Sequence, residues 1–272
     1  MKKFQGRVAV ITGAGSGIGR ALALNLAQKG CKLALSDIRA ESAAETAKLC
    51  EPYTHDIMHD ALDVADKKAM QAYPEKVLQK FGGVNIIINN AGVALAATVE
   101  ESSVEDYEWL MGINWWGVLY GTKFFLPHLR KADEAHIVNI SSIFGIIGVP
   151  TQSAYNAAKF AVRGFTESLR QELVDTHIGV SCVHPGGIKT NIAAYARFKS
   201  GPNGEPDHAS ATDKFAKIAR TTPDEAAATI VKGIEKKSPR VLIGADAVAV
   251  DVMARTMPES YTTVLGQLLK LG

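Results

Sequence analysis

A short apolar run, Val8-Ala-Val-Ile-Thr12, passes straight into Gly13-Ala-Gly-Ser-Gly-Ile-Gly19, and that turn opens a helical pattern over residues 17–29. No other stretch restricts the possible folds as sharply. Glycines at a strand-to-helix corner tolerate positive φ and close backbone approach, while the helix N-terminus offers unpaired N–H groups and a positive dipole end. Such a corner suits a pyrophosphate, with Gly13, Ser16, Gly17, Ile18 and Gly19 as candidate contacts. Apolar runs at 32–36, 58–62, 84–89, 136–141 and 179–184 read as further strands. Helical periodicity fills 41–50, 66–81, 103–130 and 153–175, with Pro74 expected to bend or split its helix. This βαβα order, with β-branched runs in place of polar alternation, predicts an α/β fold. Its core is a single doubly wound parallel sheet with helices on both faces.

At 272 residues the chain suffices for one large core, and no linker or repeat divides it, so residues 1–272 read as one domain. The rhythm breaks between 186 and 221, where Gly201-Pro-Asn-Gly-Glu-Pro206 is dense in turn formers. An irregular interval of that length predicts a mobile lid over a substrate. Thr222-Pro-Asp-Glu225 restarts helix with a capping box. A net charge of +2 and the absence of a basic, aromatic-interleaved run argue against nucleic acid. Three scattered cysteines, Cys31, Cys50 and Cys182, favour free thiols in a reducing, cytoplasmic setting. A first strand near Arg7 leaves no room for a signal peptide, and Asn114, Lys123 and His128 interrupt the apolar stretch 111–129, which reads as a buried or interface helix. His55 and His59 have helical metal-ligand spacing but lie in a polar connection without a third good ligand, so no metal is expected.

Asp37 ends the second strand, 18 residues beyond Gly19, where a carboxylate can accept from both adenosine ribose hydroxyls. The same charge repels a 2′-phosphate by roughly 1–4 kcal/mol. Ser16 is not basic, and Arg39, two residues on, is the one cation placed to meet such a phosphate. The balance favours NAD over NADP. Asp63 and Val64, after the third strand, are candidates for the adenine edge; a simple strand-end cap is the plainer reading of Asp63.

Thr12-Gly13-x-x-x-Gly17-x-Gly19, Asn89-Asn90-Ala91-Gly92, Asn114, Ser142, Tyr155-x-x-x-Lys159 and Pro185-Gly186-x-x-x-Thr190 follow one another in the chain. In that order they resemble the short-chain dehydrogenase/reductase family over roughly residues 5–190. The resemblance implies a Rossmann-like, NAD(P)-dependent oxidoreductase whose catalytic residues are Asn114, Ser142, Tyr155 and Lys159. It places Asn90, Ala91, Gly92, Pro185, Gly186, Ile188 and Thr190, with Tyr155 and Lys159, against the cofactor. It also implies that Ile188 donates its backbone N–H to the carboxamide and that Asn114 holds backbone or water in a proton relay. Ala158 departs from the serine that many relatives carry there. The chemistry is consistent by itself: Tyr155 and Lys159 lie one helical turn apart on one face, so the ammonium can favour the phenolate of a general base. Ser142 would polarise the substrate oxygen. Tyr195 and Lys199 repeat the spacing without the company, in the irregular interval.

Ile143-Phe-Gly-Ile-Ile-Gly-Val-Pro150 and the apolar residues after the sixth strand predict a pocket for a hydrophobic secondary alcohol or ketone. Its candidate contacts are Ser142, Phe144, Tyr155, Gly187, Ile192 and Tyr195. A 3-hydroxyacyl thioester is the alternative substrate, and a non-catalytic nucleotide-sensing relative the reading from another class. The helix with Trp115, Trp116, Val118, Leu119, Phe124 and Phe125 and the long helix bearing Tyr155 resemble the pair that forms a shared four-helix contact in dimers of that family, which implies a homodimer face. Val264, Leu265, Leu268, Leu269 and Leu271 suggest either a second, tetramer-forming face or packing onto their own subunit.

Overall fold

The computed structural model describes residues 1, 3–201 and 207–270. Seven parallel strands form one sheet: β1 (Val8–Thr12), β2 (Lys32–Asp37), β3 (Ile57–Ala61), β4 (Ile86–Asn89), β6 (Ala135–Ile140), β7 (Ile178–Pro185) and β9 (Arg240–Ile243). Their order is β3-β2-β1-β4-β6-β7-β9, so the direction of progression reverses between β1 and β4. Two two-residue strands, β5 (Leu95–Ala96) and β8 (Arg197–Phe198), pair separately as a second, parallel ladder. β1 shows why the sheet is covered twice. Ala9 and Ile11 join a core with Leu22, Leu26, Ile230 and Ile234, whereas Val8 and Val10 face Tyr73, Val77, Phe125 and Leu129. Alternate residues of one strand thus feed two cores, each fully buried aliphatic side chain contributing about 1.5–3 kcal/mol.

The helices are α1 (Gly17–Gln28), α2 (Ala40–Cys50), α3 (Lys67–Phe81), α4 (Val104–Met111), α5 (Gly117–Leu129), α6 (Ser153–Glu172), α7 (His208–Ile218), α8 (Pro223–Lys236), α9 (Ala245–Thr256) and α10 (Tyr261–Lys270). Pro74 does not split α3: Asp66 caps its start, Gly82 closes it at φ +77°, and Tyr73, Pro74 and Val77 are buried together. The capping box expected at Thr222 is present, with Thr222 N donating to Glu225 at 2.8 Å and Glu225 N to Thr222 Oγ1 at 3.2 Å. β9, missing from the sequence reading, closes the sheet edge beside β7. His59 lies within β3, so it is not in the polar connection with His55. Between α4 and α5, residues Gly112–Trp116 form a π-turn.

The described residues of the interval 186–221 carry more regular structure than its composition suggests. β8 pairs with β5, and Lys199 Nζ donates to Asp106 at 2.7 Å and to the Glu101 carbonyl at 2.8 Å. Arg197 reaches Asp106 at 3.2 Å and covers the Trp109 ring at 3.7 Å. Charged partners outside the interval hold it, which composition within the interval does not reveal. None of the side chains of α7 is buried, although His208 at its start meets the Ala193 carbonyl at 2.7 Å and stacks on the Phe198 ring. The turn-forming Pro202–Pro206 stretch and Leu271 lie outside the described residues, as do the side chains of Leu265, Leu268 and Leu269. Val118 and Phe125 belong to the core and not to the expected dimer face, because α5 turns them toward the sheet.

Candidate active site

The carboxyl ends of β1 and β4 meet where the strand order reverses, the usual ligand crevice of an open α/β sheet. Thr12 Oγ1 accepts from Asn90 N and Ala91 N, each at 3.1 Å. Asn90 Nδ2 donates in return to the Thr12 and Gly13 carbonyls at 3.0 and 3.1 Å. A Cβ on Gly13, whose φ is +63°, would come within 2.7 Å of Ala91 Cα, so glycine is what lets these two ends approach. Ser16 takes the N-cap position of α1 without a side-chain cap bond. The Thr190 Cγ2 stands 3.1 Å from where a Cβ on Gly17 would be, placing Thr190 above the glycine corner.

Asp37 is buried at the end of β2. Its Oδ2 accepts from Gly15 N at 2.9 Å and its Oδ1 from Arg39 N at 3.1 Å. Arg20 braces the corner through the Gly15 carbonyl at 2.6 Å and Thr46 Oγ1 at 3.1 Å. An N-terminus without a side-chain cap, a glycine cradle and a carboxylate at the next strand end fit a dinucleotide. Asp63 is exposed, two residues past β3, and its Oδ1 accepts from Ala65 N at 2.9 Å, the cap reading of that residue. Val64 is buried against Gly117, where a Cβ would meet its Cγ2 at 2.8 Å.

Asn114, Ser142, Tyr155 and Lys159 converge across the crevice. The π-turn carries Asn114, fully buried, to Val93: its Oδ1 accepts from Val93 N and its Nδ2 donates to Val93 O, both at 2.8 Å. A Cβ on Gly92 would lie 3.3 Å from Asn114 Oδ1 and 3.6 Å from Lys159 Nζ, so Gly92 borders both. Ser142 follows β6 in extended backbone and accepts from Phe144 N at 3.1 Å. Tyr155 stands in the first turn of α6, half-buried, with the Phe144 ring edge-on at 6.0 Å. Lys159 is buried, Nζ donating to Ile140 O at 3.0 Å and lying 5.4 Å from the Tyr155 ring centroid.

The electrostatics differ from the simple expectation that Lys159 lowers the phenol. Burial pushes the Tyr155 phenol up to about 12, with the Ser142 hydroxyl pulling it down. Burial also brings Lys159 down to about 8. Its ammonium faces a carbonyl and the ring, and desolvation dominates both groups.

Beyond β7, Gly186 N donates to Ile243 O at 2.9 Å, and Asp246 Oδ2 accepts from Gly187 N at 2.6 Å. Asp246, in the first turn of α9, thus anchors this loop and was missed by the sequence reading; Gly244-Ala-Asp246 after an apolar triplet was the available signal. Ile188 is buried and bridges to Thr221. Ile192 is half-buried. Tyr195, a candidate substrate contact, is mostly exposed and stacks on the Arg39 guanidinium, 5.1 Å from centroid to carbon, at the Asp37 end of the crevice. Arg39, whose Nε is 4.0 Å from Asp37, and the β5–β8 pairing hold it there, away from Tyr155. The second tyrosine–lysine pair is thereby divided, since Lys199 turns to Asp106.

The profile of the short chain dehydrogenase family matches residues 7–200. A Mycobacterium tuberculosis protein provisionally named oxidoreductase SadH is 51% identical over 263 residues, covering 96% of this chain and 94% of that protein. The 3-oxoacyl-[acyl-carrier-protein] reductase FabG of Thermotoga maritima is 34% identical over 215 residues, 75% of this chain and 87% of that one. A Burkholderia phymatum short chain dehydrogenase/reductase solved in complex with NAD superposes with a TM-score of 0.87 at 29% identity, over 95% of this chain and 96% of that chain. With the sheet, the glycine corner and the motifs in one crevice, the chain belongs to the short-chain dehydrogenase/reductase family of oxidoreductases.

Proposed function

We propose that the protein interconverts a hydrophobic secondary alcohol and its ketone with NAD(H). The observation that carries this reading is the meeting of Ser142, Tyr155 and Lys159 beside the apolar Phe144 at the mouth of the crevice. The dinucleotide, when bound, supplies the hydride acceptor or donor. Gly13, Ser16, Gly17, Ile18, Gly19 and Thr190 would hold its pyrophosphate, and Asp37 its adenosine ribose. Asn90, Ala91, Gly92, Ile188 and Lys159 would border the nicotinamide half. In oxidation the Tyr155 phenolate accepts the alcohol proton, and in reduction the phenol returns it. Ser142 Oγ hydrogen-bonds the substrate oxygen. Bringing the phenol from about 12 to near neutrality requires roughly 7 kcal/mol of differential stabilisation. The Lys159 cation would contribute to this, and the nicotinamide cation would add to it when the dinucleotide is bound.

Asp37 supports NAD over NADP, because its carboxylate borders Gly15 N, where a 2′-phosphate would approach. A homodimer is supported by the exposed Trp116 and Phe160, with Trp116, Tyr120 and Phe124 stacked in a row. The likeness to FabG favours a 3-oxoacyl thioester as the second substrate reading. Screening purified protein with NAD and NADP against secondary alcohols and 3-hydroxyacyl thioesters tests both. Turnover of cyclohexanol or longer apolar alcohols with NAD is expected, and turnover confined to thioesters would replace the first reading by the second.

A further inference from the structure

His184 is a buried imidazole that the proposed chemistry does not use. It is the penultimate residue of β7, and Ser141 N donates to Val183 O at 2.8 Å, so the strand runs directly beside the Ser142 backbone. His184 Nδ1 lies 3.0 Å from the Ser142 carbonyl oxygen, while Nε2 is buried and has no partner among the described residues. A carbonyl can only accept, so the proton resides on Nδ1 and the lone pair on Nε2. The opposite tautomer would set two lone pairs against each other and bury an unpaired N–H as well. Gly145 N donates to the same carbonyl at 3.0 Å, so its two lone pairs are both engaged and the Ser142 peptide plane is held from two sides.

The geometry points to His184 as a positioning residue for the proposed reaction: its Nδ1–H clamps the Ser142 carbonyl and thereby aims the Ser142 hydroxyl at Tyr155. This rests on the reading of Ser142 and Tyr155 given above. The surroundings keep the clamp in its neutral form. Burial brings the ring down to about 4, helped by Arg240 on β9 and Arg163 on α6 and opposed by the Ser142 contact and Asp251 on α9. Arg163 itself donates to Gly145 O at 3.4 Å, so α6 braces the same short turn. The Ser142 hydroxyl lowers the Tyr155 phenol, so a looser Ser142 raises it, and the pH at which oxidation reaches half its plateau moves upward.

Two measurements decide the matter. Isotope-edited NMR of wild-type protein at neutral pH reads the tautomer directly: a proton on Nδ1 of His184 is expected, and a proton on Nε2 overturns the clamp. For cyclohexanol oxidation with NAD, His184→Asn, whose amide places a donor near the Nδ1 position, should keep kcat within about threefold of wild type. His184→Phe, which fills the volume without a donor, should lower kcat about tenfold or more and shift the pH midpoint upward, with the NAD Kd unchanged within about twofold. His184→Ala gives the same comparison if the phenylalanine variant does not fold. A folded donorless variant with wild-type kcat and pH midpoint, or an asparagine variant as impaired as the donorless ones, overturns the inference. Wild-type protein inert toward every alcohol with NAD would refute the proposed function instead, and the NMR result would still decide the clamp.

Discussion

Tyr155 and Tyr195 share a spacing to lysine and nothing else. Tyr155 sits half-buried between Ser142, Phe144 and Lys159, whereas Tyr195 is exposed against Arg39. Tyr155→Phe should therefore lower turnover at least about a hundredfold while cofactor affinity holds, and Tyr195→Phe should leave the chemical step nearly intact. Steady-state kinetics with direct NAD titration check both, and equal losses would remove the basis for assigning Tyr155. Asp37 governs the other end of the crevice. Asp37→Asn should shift preference toward NADP by roughly 1–3 kcal/mol, read as the ratio of kcat/KM with the two cofactors. A wild-type preference for NADP would instead make Arg39 the phosphate contact. Tyr155 and Asp37 are legible in the sequence as candidates, Tyr155 because it belongs to an ordered series of motifs and Asp37 because it ends a strand. Asp246 and His184 were not, since their partners, Gly187 N and Ser142 O, are 59 and 42 residues away in the chain.

Among the elements, the interval after β7 divides in two. Residues 197–200 are pinned by β5, Asp106 and Glu101, whereas α7 buries none of its side chains. Hydrogen exchange should be slow around Phe198 even in the free protein and fast over 208–218, slowing there when NAD and an apolar alcohol bind. Equal protection of α7 in both states would make it a fixed wall. The sequence reading called the whole interval irregular because its two anchoring strands are two residues long and pair across about 100 positions of chain. The π-turn that delivers Asn114 was equally invisible: it occurs inside a continuous helical pattern, and only packing shows it.

For the whole molecule, two buried imidazoles couple stability to pH. Burial brings His136 from 6.5 down to about 3 and His184 to about 4. Both folded-state values are depressed, so the unfolded chain takes up protons first as pH falls. Their stabilising contribution is complete above about 6.5 and lost progressively down to about 3–4, up to about 4–5 kcal/mol for His136 alone. Chemical denaturation at a series of pH values should show this decline, and His136→Gln, able to keep the bond to Ser181, should flatten it. Assembly is the second test at this scale. The Trp116–Tyr120–Phe124 stack and the exposed Phe160 predict a homodimer at micromolar concentration, and a single-chain mass by light scattering would reject it.

Local chemistry alone determined the strand-to-helix glycine corner, the two-faced parallel sheet and the order of the motifs. These depend on residues within one element, where backbone permissiveness and hydrophobic period suffice. Tertiary structure alone decided which tyrosine meets Ser142, where Tyr195 points, that Val118 and Phe125 are core, and that β9 closes the sheet. It also decided that desolvation, more than Lys159, sets the Tyr155 phenol. Each depends on contacts and burial between segments far apart in the chain, quantities that exist only once the sheet has brought those segments together.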